Sequence, residues 1–410
     1  GITSAEPVSH AAWFLDLLAT AGLAPAEHLT VLTVDGSHLG RFAAGHGLPV
    51  RPVHLAGRTG IPGRMSAPTT LVFLLPVALH FAGSGGGQLR AVLREAWRRY
   101  DLAGARADPP ASSYVRLAAA LCAAGHDGRC GLVLSTVEPR PELLAWIEQL
   151  LEQSLGKGGK GIVVFTDQSL DDRPAARALR LTVPYPVQAD PVLRLAELAA
   201  MFLGWQLCTA LYGYLHEICV VDEPAVERYK AHARRLLADP EADPLAGLDA
   251  TPWRHRVIEP GSPQYPDRVR GLAGELRRVA AEQGGYLDIT VNGRSPGVRS
   301  ATIQHWAGVI AGQTLGIPVK LRQAPAAYHI SEQSEMDGPQ RMVSIRTVSR
   351  SHQPARVGTY PDRFLVAAAV ASWLAMNEVG RCCFLVLVDE ASAVDGVLAD
   401  LAAAIEQRRV

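Results

Sequence analysis

Apolar residues recur at two different spacings along the chain. Within residues 10–21, Trp13, Phe14, Leu17, Leu18 and Ala21 fall on one helical face, and Gly22 supplies a stop. Residues 29–34 and 50–55 are short β-branched runs that predict buried strands, the first stopped by Asp35-Gly36. A glycine-rich turn at 57–63 leads to a predicted buried helix over 67–82, entered through Pro68. A glycine loop at 83–87 then precedes an amphipathic basic helix over 89–100.

Asp108-Pro109-Pro110 breaks the pattern and marks a domain boundary. Beyond it the alternation resumes. Helices are predicted over 112–124, 142–153 and 193–214, and strands over 130–135, 161–165 and 179–183. Residues 240–266, rich in Pro, Asp and turn formers, read as a linker. A third block carries strand patterns at 286–291, 316–320, 342–347 and 384–388, with helices at 364–378 and 391–407. Strands alternating with helices predict an α/β fold whose parallel sheets are covered by helices on both faces. The expected domains are residues 1–107, 108–245 and a C-terminal α/β segment over 255–410.

Composition narrows the function classes. At about 150 residues per domain, 410 residues make two or three domains. With 48% hydrophobic and 20% charged residues, the chain can bury several cores. Forty basic and forty acidic side chains give zero formal charge, which argues against a bulk nucleic-acid binder. Six irregularly spaced cysteines without a CxxC pair form neither a disulfide framework nor a structural zinc site, and fit a reducing cytoplasm. No uninterrupted apolar run approaches the roughly 18 residues of a bilayer span, since the run over 71–81 is short and holds Pro76. No membrane partner is expected. The start, Gly1-Ile2-Thr3-Ser4, has neither a methionine nor a signal-peptide pattern, as expected of a residue left by a tag or of a piece of a longer chain.

Several segments could carry chemistry. Gly156-Lys157-Gly158-Gly159-Lys160-Gly161 offers backbone amides and two lysines to an anion, or serves as a flexible turn; it is not a Walker loop. Arg64, in Gly63-Arg64-Met65-Ser66, stands at a predicted helix start, where it could meet an oxyanion or make an ordinary surface contact. Thr3 and Ser4 could cap the first helix or hold phosphate. Glu223 and Lys230 stand two helical turns apart, on one face. His329, Glu332 and Glu335 share helical spacing, but one histidine and two acids make a poor metal set, and neither a metal nor a cofactor is expected.

Taken in order, four segments resemble the phosphoglucose isomerase family, in particular the short form found fused to transaldolase. Gly63-Arg64-Met65-Ser66, followed by Leu74-Leu75-Pro76-Val77-Ala78-Leu79, resembles its Gly-Arg-(Phe/Tyr)-Ser segment and the Leu-Val-Pro-Ala-Ala-Leu run after it. Gln149 through Gln153-Ser154-Leu155-Gly156-Lys157 resembles its Glu-Ser-x-Gly-Lys signature with the upstream glutamine. Asp222-Glu223-Pro224-Ala225-Val226-Glu227 to Lys230 resembles its Asp-Gln-Pro-x-Val-Glu-x-x-Lys segment. Residues 329–339 resemble its late His-Ser-Thr-Gly-Gln-Leu-His-Lys-Gly-Gly-Pro stretch. The resemblance spans nearly the whole chain.

It implies tandem sugar-isomerase (SIS) domains and interconversion of glucose 6-phosphate and fructose 6-phosphate through a cis-enediol. It further implies a sugar-phosphate partner, a homodimer, and a missing N-terminal transaldolase or SIS portion. On this reading Arg64, Gln153, Glu223 and Lys230 stand at catalytic positions, and Thr3, Ser4 and Gln149 bind substrate, all converging on one cleft between two domains. Three positions depart from the pattern. The family's carboxylate base falls on Gln153, its Asp-Gln-Pro glutamine on Glu223, and its late histidine on Glu335. An amide takes up no proton near neutral pH. Glu152 precedes Gln153 on the same helix, so it should point about 100° away. Glu223, held near Lys230 and kept ionised by it, is the better substitute base. Two readings follow: an isomerase impaired at its base, or an inactive relative that binds a sugar phosphate or a partner protein.

Overall fold

The computed structural model describes residues 6–55, 57, 62–83, 86–126, 131–166, 178–239, 241–282, 284–292, 301–324, 326–350, 362–390 and 392–407. These residues fall into two compact units. One comprises residues 6–119 and 184–211; the other comprises 120–183 and the remainder from 212 onward.

The first unit opens with α1 (Glu6–Thr20) and α2 (Pro25–His28). A short parallel pair follows, β1 (Val31–Thr33) and β2 (Val50–Pro52), joined through α3 (His38–Gly45). Ser37 caps α3 by accepting from the Gly40 amide at 2.9 Å, and Val31, Ala43 and Leu48 close a small core. The apolar face of α1 is largely open, with Trp13, Phe14 and Leu17 exposed. α4 (Leu71–His80) begins later than its sequence pattern suggests, because Thr70 caps it through the Val72 amide at 3.3 Å. Pro68 therefore lies before the helix. α5 (Gly87–Tyr100), α6 (Leu102–Ala107) and the start of α7 (Ser113–His126) complete this stretch.

The second unit holds two parallel sheets flanked by helices, the α/β arrangement that the alternation predicts. Its first sheet has the order β4-β3-β5, from β3 (Gly131–Ser135), β4 (Val163–Thr166) and β5 (Leu179–Thr182), with α8 (Pro141–Leu155) as the β3-to-β4 crossover. The 25-residue α9 (Pro191–Leu215) follows; up to Leu211 it belongs to the first unit, where Ala196 and Ala199 share a core with Phe73, Val77, Val92 and Ala96. By length and composition alone α9 could cross a membrane, although half of its apolar window is buried within the protein.

α10 (Pro224–Leu236) precedes the second sheet. Residues 240–266, expected as a linker, contain β6 (Val257–Ile258) and the start of α11 (Tyr265–Ala281). Val257 and Ile258 pair with Leu385 and Val386, so partners more than a hundred residues away make this a strand. The chain continues through β7 (Tyr286–Val291), α12 (Ala301–Ala307) with a π-helical extension over Gly308–Leu315, β8 (Val319–Gln323), α13 (Ala326–Ile330) and α14 (Glu332–Asp337). It ends in β9 (Met342–Ser349), α15 (Asp362–Glu378), β10 (Cys382–Val388) and α16 (Ala393–Glu406). The five strands run parallel in the order β6-β10-β9-β7-β8.

Side chains alternate across this sheet, as the pleat requires. Leu287, Ile289, Val291, Val343, Ile345, Phe384 and Val386 pack with α11, α12 and α16 on one face. The other face, toward α10, α14 and α15, is apolar on β10 at Cys383, Leu385 and Leu387. On β7, β8 and β9 that same face carries Asp288, Thr290, Lys320, Arg322, Ser344 and Arg346, between the apolar Tyr286, Met342 and Val348.

Candidate functional site

The candidate site is built from α8 downward. Pro141 starts the helix at its first position, where no amide partner is needed. Leu143, Leu144, Ile147, Leu150, Leu151 and Leu155 give it a wide buried stripe. Every residue from Leu150 to Leu155 is buried, so the polar side chains in that turn must find partners inside the protein.

Gln149 and Gln153, one turn apart, bond to each other. Gln149 Nε2 donates to Gln153 Oε1 at 3.1 Å and to the His329 carbonyl at 3.1 Å. Glu152 makes its contacts elsewhere: its Oε1 accepts from the Val164 amide at 2.6 Å and from Lys320 Nζ at 2.5 Å. Lys320 also meets Glu148 Oε1 at 2.7 Å. Two of the carboxylates on α8 are thus tied to one buried lysine.

Lys320 belongs to a larger network on the polar face of β7, β8 and β9. Register sets it out in two rows. Ser344, Asp288 and Lys320 stand abreast, and two residues on stand Arg346, Thr290 and Arg322. Asp288 Oδ2 accepts from Ser344 Oγ and from Arg346 Nη1, each at 2.7 Å, while Arg322 bonds Oδ1. Arg346 further donates to Thr290 Oγ1 at 2.6 Å, to Glu335 Oε2 at 2.5 Å and to Ser372 Oγ at 3.2 Å. Arg322 also pairs with Glu335, and Ser372 donates to Glu332 Oε1 at 2.6 Å.

Five acids (Glu148, Glu152, Asp288, Glu332 and Glu335) here meet three bases (Lys320, Arg322 and Arg346), all buried. Acids outnumber bases by two, which favours proton uptake by the acids that burial raises most. Burial pushes Glu152 up to about 7 against the pull of Lys320, with Glu148 adding to the rise. Burial likewise pushes Glu332 up to about 7 against Arg346. Burial also acts upward on Glu335, but Arg322 and Arg346 outweigh it and hold that acid down at about 2. Glu335 differs from Glu152 and Glu332 in having two arginines in direct contact.

Glu223 is the residue just before α10, and Lys230 lies in that helix. Lys230 Nζ meets Glu227 Oε1 at 2.7 Å, because a residue three positions earlier is closer to a lysine ammonium than the helix-start residue seven positions away. The lysines of the glycine-rich loop serve the turn. Lys157 Nζ donates to the Ser154 and Cys219 carbonyls at 2.7 and 2.6 Å and meets Asp222 at 3.1 Å, while Lys160 Nζ donates to the His216 carbonyl at 2.8 Å. Gly156 is required here, since a Cβ would lie 2.4 Å from Ser334 Cα. The helical spacing of His329, Glu332 and Glu335 is interrupted at Ser331, and both acids turn to arginines. Arg64 is buried in a 3₁₀ turn (Gly63–Met65) of the first unit. Thr3 and Ser4 lie outside the described residues.

Asp288, Arg322 and Arg346 stand outside the residues singled out from the sequence, and Lys320 lies within a strand rather than at the end of one. The signal was present: Asp288/Thr290, Lys320/Arg322 and Ser344/Arg346 each alternate with apolar residues at a period of two.

No family model matches the chain, and no curated protein matches it. Among solved structures, a hypothetical protein from Thermus thermophilus matches at 12% identity, covering 82% of this chain and 88% of that one, with a TM-score of 0.28.

Proposed function

We propose that this chain is a sugar-phosphate-binding protein of the phosphoglucose isomerase type, with tandem SIS domains, in which the enediol proton transfer is impaired. The observation that carries this reading is the state of the α8 carboxyl groups. Aldose–ketose conversion needs a group that takes a proton from one carbon and returns it to the next. At the family's base position stands Gln153, whose carbonyl oxygen already accepts from Gln149. Its neighbour Glu152 is buried and held by Lys320 and the Val164 amide, so it offers no replacement. A paired carboxamide can orient a sugar hydroxyl but cannot shuttle the proton.

The test measures binding and turnover separately on the intact chain. Titration calorimetry with fructose 6-phosphate should show saturable binding, and a coupled assay should show little conversion to glucose 6-phosphate. Gln153→Glu should then raise turnover by about 10²-fold or more, the usual contribution of a positioned base. Brisk turnover by the unmodified chain would sink the impaired-base reading. If Glu223→Gln then abolished that turnover, the base would be Glu223. Absence of any sugar-phosphate binding would remove the family assignment itself.

A further inference from the structure

The first unit contains a cavity of about 640 Å³, within the range of small-molecule sites. Its wall runs from the end of α5 to the start of α7, through residues 184–186, and along α9. Three tyrosines, Tyr100, Tyr114 and Tyr185, supply its aromatic surface. Tyr114 is set in place by the absence of a side chain opposite. A Cβ at Gly204 would lie 2.0 Å from the Tyr114 ring, so only glycine lets that ring rest on the α9 backbone. Trp205 holds the ring edge-on at 6.3 Å. The hydroxyls of Tyr100 and Tyr114 bond to none of the described residues, and neither is shut away from solvent. Burial pushes both phenols above their ordinary values, so each keeps its proton to donate.

The other open polar groups of the wall are acceptors. Asp108 is exposed where α6 ends, and its carboxylate bonds to none of the described residues. Asp101 Oδ1 accepts from the Gly104 amide at 3.0 Å, which leaves its Oδ2 for another donor. Among the described lining residues the cation is Arg99, and it is committed to Glu95, Nε to Oε1 at 2.8 Å. This combination selects a chemistry. Phenols donate and accept, carboxylates accept, and tyrosine faces take apolar surface. A ring with several hydroxyls and C–H faces satisfies all three. A phosphate or carboxylate meets like charge with no uncommitted cation to offset it. A plain hydrocarbon ring would leave the polar groups without partners.

We infer that this cavity is a binding site for an uncharged saccharide, its C–H face against the tyrosine rings and its hydroxyls on the phenols, Asp101 and Asp108. Hydroxyls that donate to a carboxylate make the stronger class of hydrogen bond, which fixes the ring's orientation. This inference goes beyond the isomerase reading and does not depend on it: the ligand carries no phosphate, and the lining residues all belong to the first unit, whereas α8 belongs to the second.

The test uses the methyl pyranosides of glucose, galactose and mannose. Their blocked anomeric carbon prevents ring opening and keeps any isomerase activity out of the measurement. Ligand-observed NMR on the intact chain should give a Kd of about 1–5 mM for at least one of them, as expected for a polar fragment of this size. The corresponding methyl uronide, which adds a carboxylate, and cyclohexanol, which keeps the ring and one hydroxyl, should each bind about fivefold or more weakly. Tyr114→Phe, which removes a phenol hydroxyl and keeps the ring, should weaken the glycoside about threefold or more. Asp108→Asn keeps a carbonyl acceptor and removes a charge, so it should narrow the gap between glycoside and uronide about twofold or more. Asp108 is exposed, so that variant keeps the site assignment testable even if Tyr114→Phe folds poorly. No binding of any glycoside at 50 mM, about tenfold above the weak end of that range, would overturn the inference. So would uronide or cyclohexanol binding as tight as the glycoside's, or glycoside and uronide affinities that neither substitution moves.

Discussion

Arg346→Met tests the buried network at its centre. The guanidinium is fully buried and contacts Asp288 at 2.7 Å, Glu335 at 2.5 Å, Thr290 at 2.6 Å and Ser372 at 3.2 Å. At an effective dielectric of about 20, each ion pair near 4 Å charge separation is worth about 4 kcal/mol. Removing the arginine forfeits two close pairs but also relieves the several kcal/mol that its own desolvation costs. Asp288 and Glu335 would keep Arg322 as their one shared cation. The net expectation is a loss of about 3–5 kcal/mol, the usual result of orphaning a buried charge. That is a large share of the roughly 5–15 kcal/mol that holds a typical fold together. Because the chain has two compact units, the appropriate readout is local: amide exchange of β7 and β9, which should accelerate by about 10²–10³-fold at the least. Glu335→Gln should be costly in the native background and much less so beside Arg346→Met, since the two groups are coupled. A loss under about 1 kcal/mol for Arg346→Met, or equal effects of Glu335→Gln in both backgrounds, would refute the view that these charges stabilise one another.

Further outcomes follow from the same structure. Glu152 and Glu332 titrate near 7 when folded, against 4.5 ordinarily, so the folded state binds the extra protons. Their stabilising contribution is complete below about 4.5 and is lost as pH rises through about 7; urea unfolding at pH 5, 6, 7 and 8 should show this decline, and Glu152→Gln should flatten it. Glu335, held at about 2, has the opposite sign, and its contribution should vanish as pH falls from about 4.5 toward 2, a loss that Glu335→Gln should remove from an acid-unfolding curve. Gly156→Ala should lower stability by about 1–3 kcal/mol through overlap with Ser334, read as a drop in melting temperature. Lys157→Met, which deletes bonds to two carbonyls, should cost about 1–3 kcal/mol and speed amide exchange around Cys219.

Much of the fold is local enough to be legible. Residues 130–135, 179–183 and 384–388 are β-branched or apolar runs bounded by breakers, and strands form there at Gly131–Ser135, Leu179–Thr182 and Cys382–Val388. The apolar stretch at 193–214 becomes α9 because it is far too long for a strand. By contrast, Val257-Ile258 has too few residues to show a period, and only pairing with β10 makes it a strand. α13 and α14 are five and six residues long, with no apolar stripe of their own, and are fixed by contacts with α8 and the sheet. On α8, the chain order alone sends Glu152 away from Gln153, because neighbouring helical residues diverge by about 100°.

The alternation of strands and helices and the parallel character of the sheets were legible in the sequence. Those features depend on spacing within a few residues. Tertiary structure alone decided that Lys320 would bind Glu148 and Glu152, that Arg346 would stand between Asp288 and Glu335, and that Lys230 would turn to Glu227. A charge is buried or solvated, paired or orphaned, according to what the register of distant strands and the packing of other helices bring to within about 3 Å of it, the reach of a hydrogen bond, and no local pattern encodes that distance.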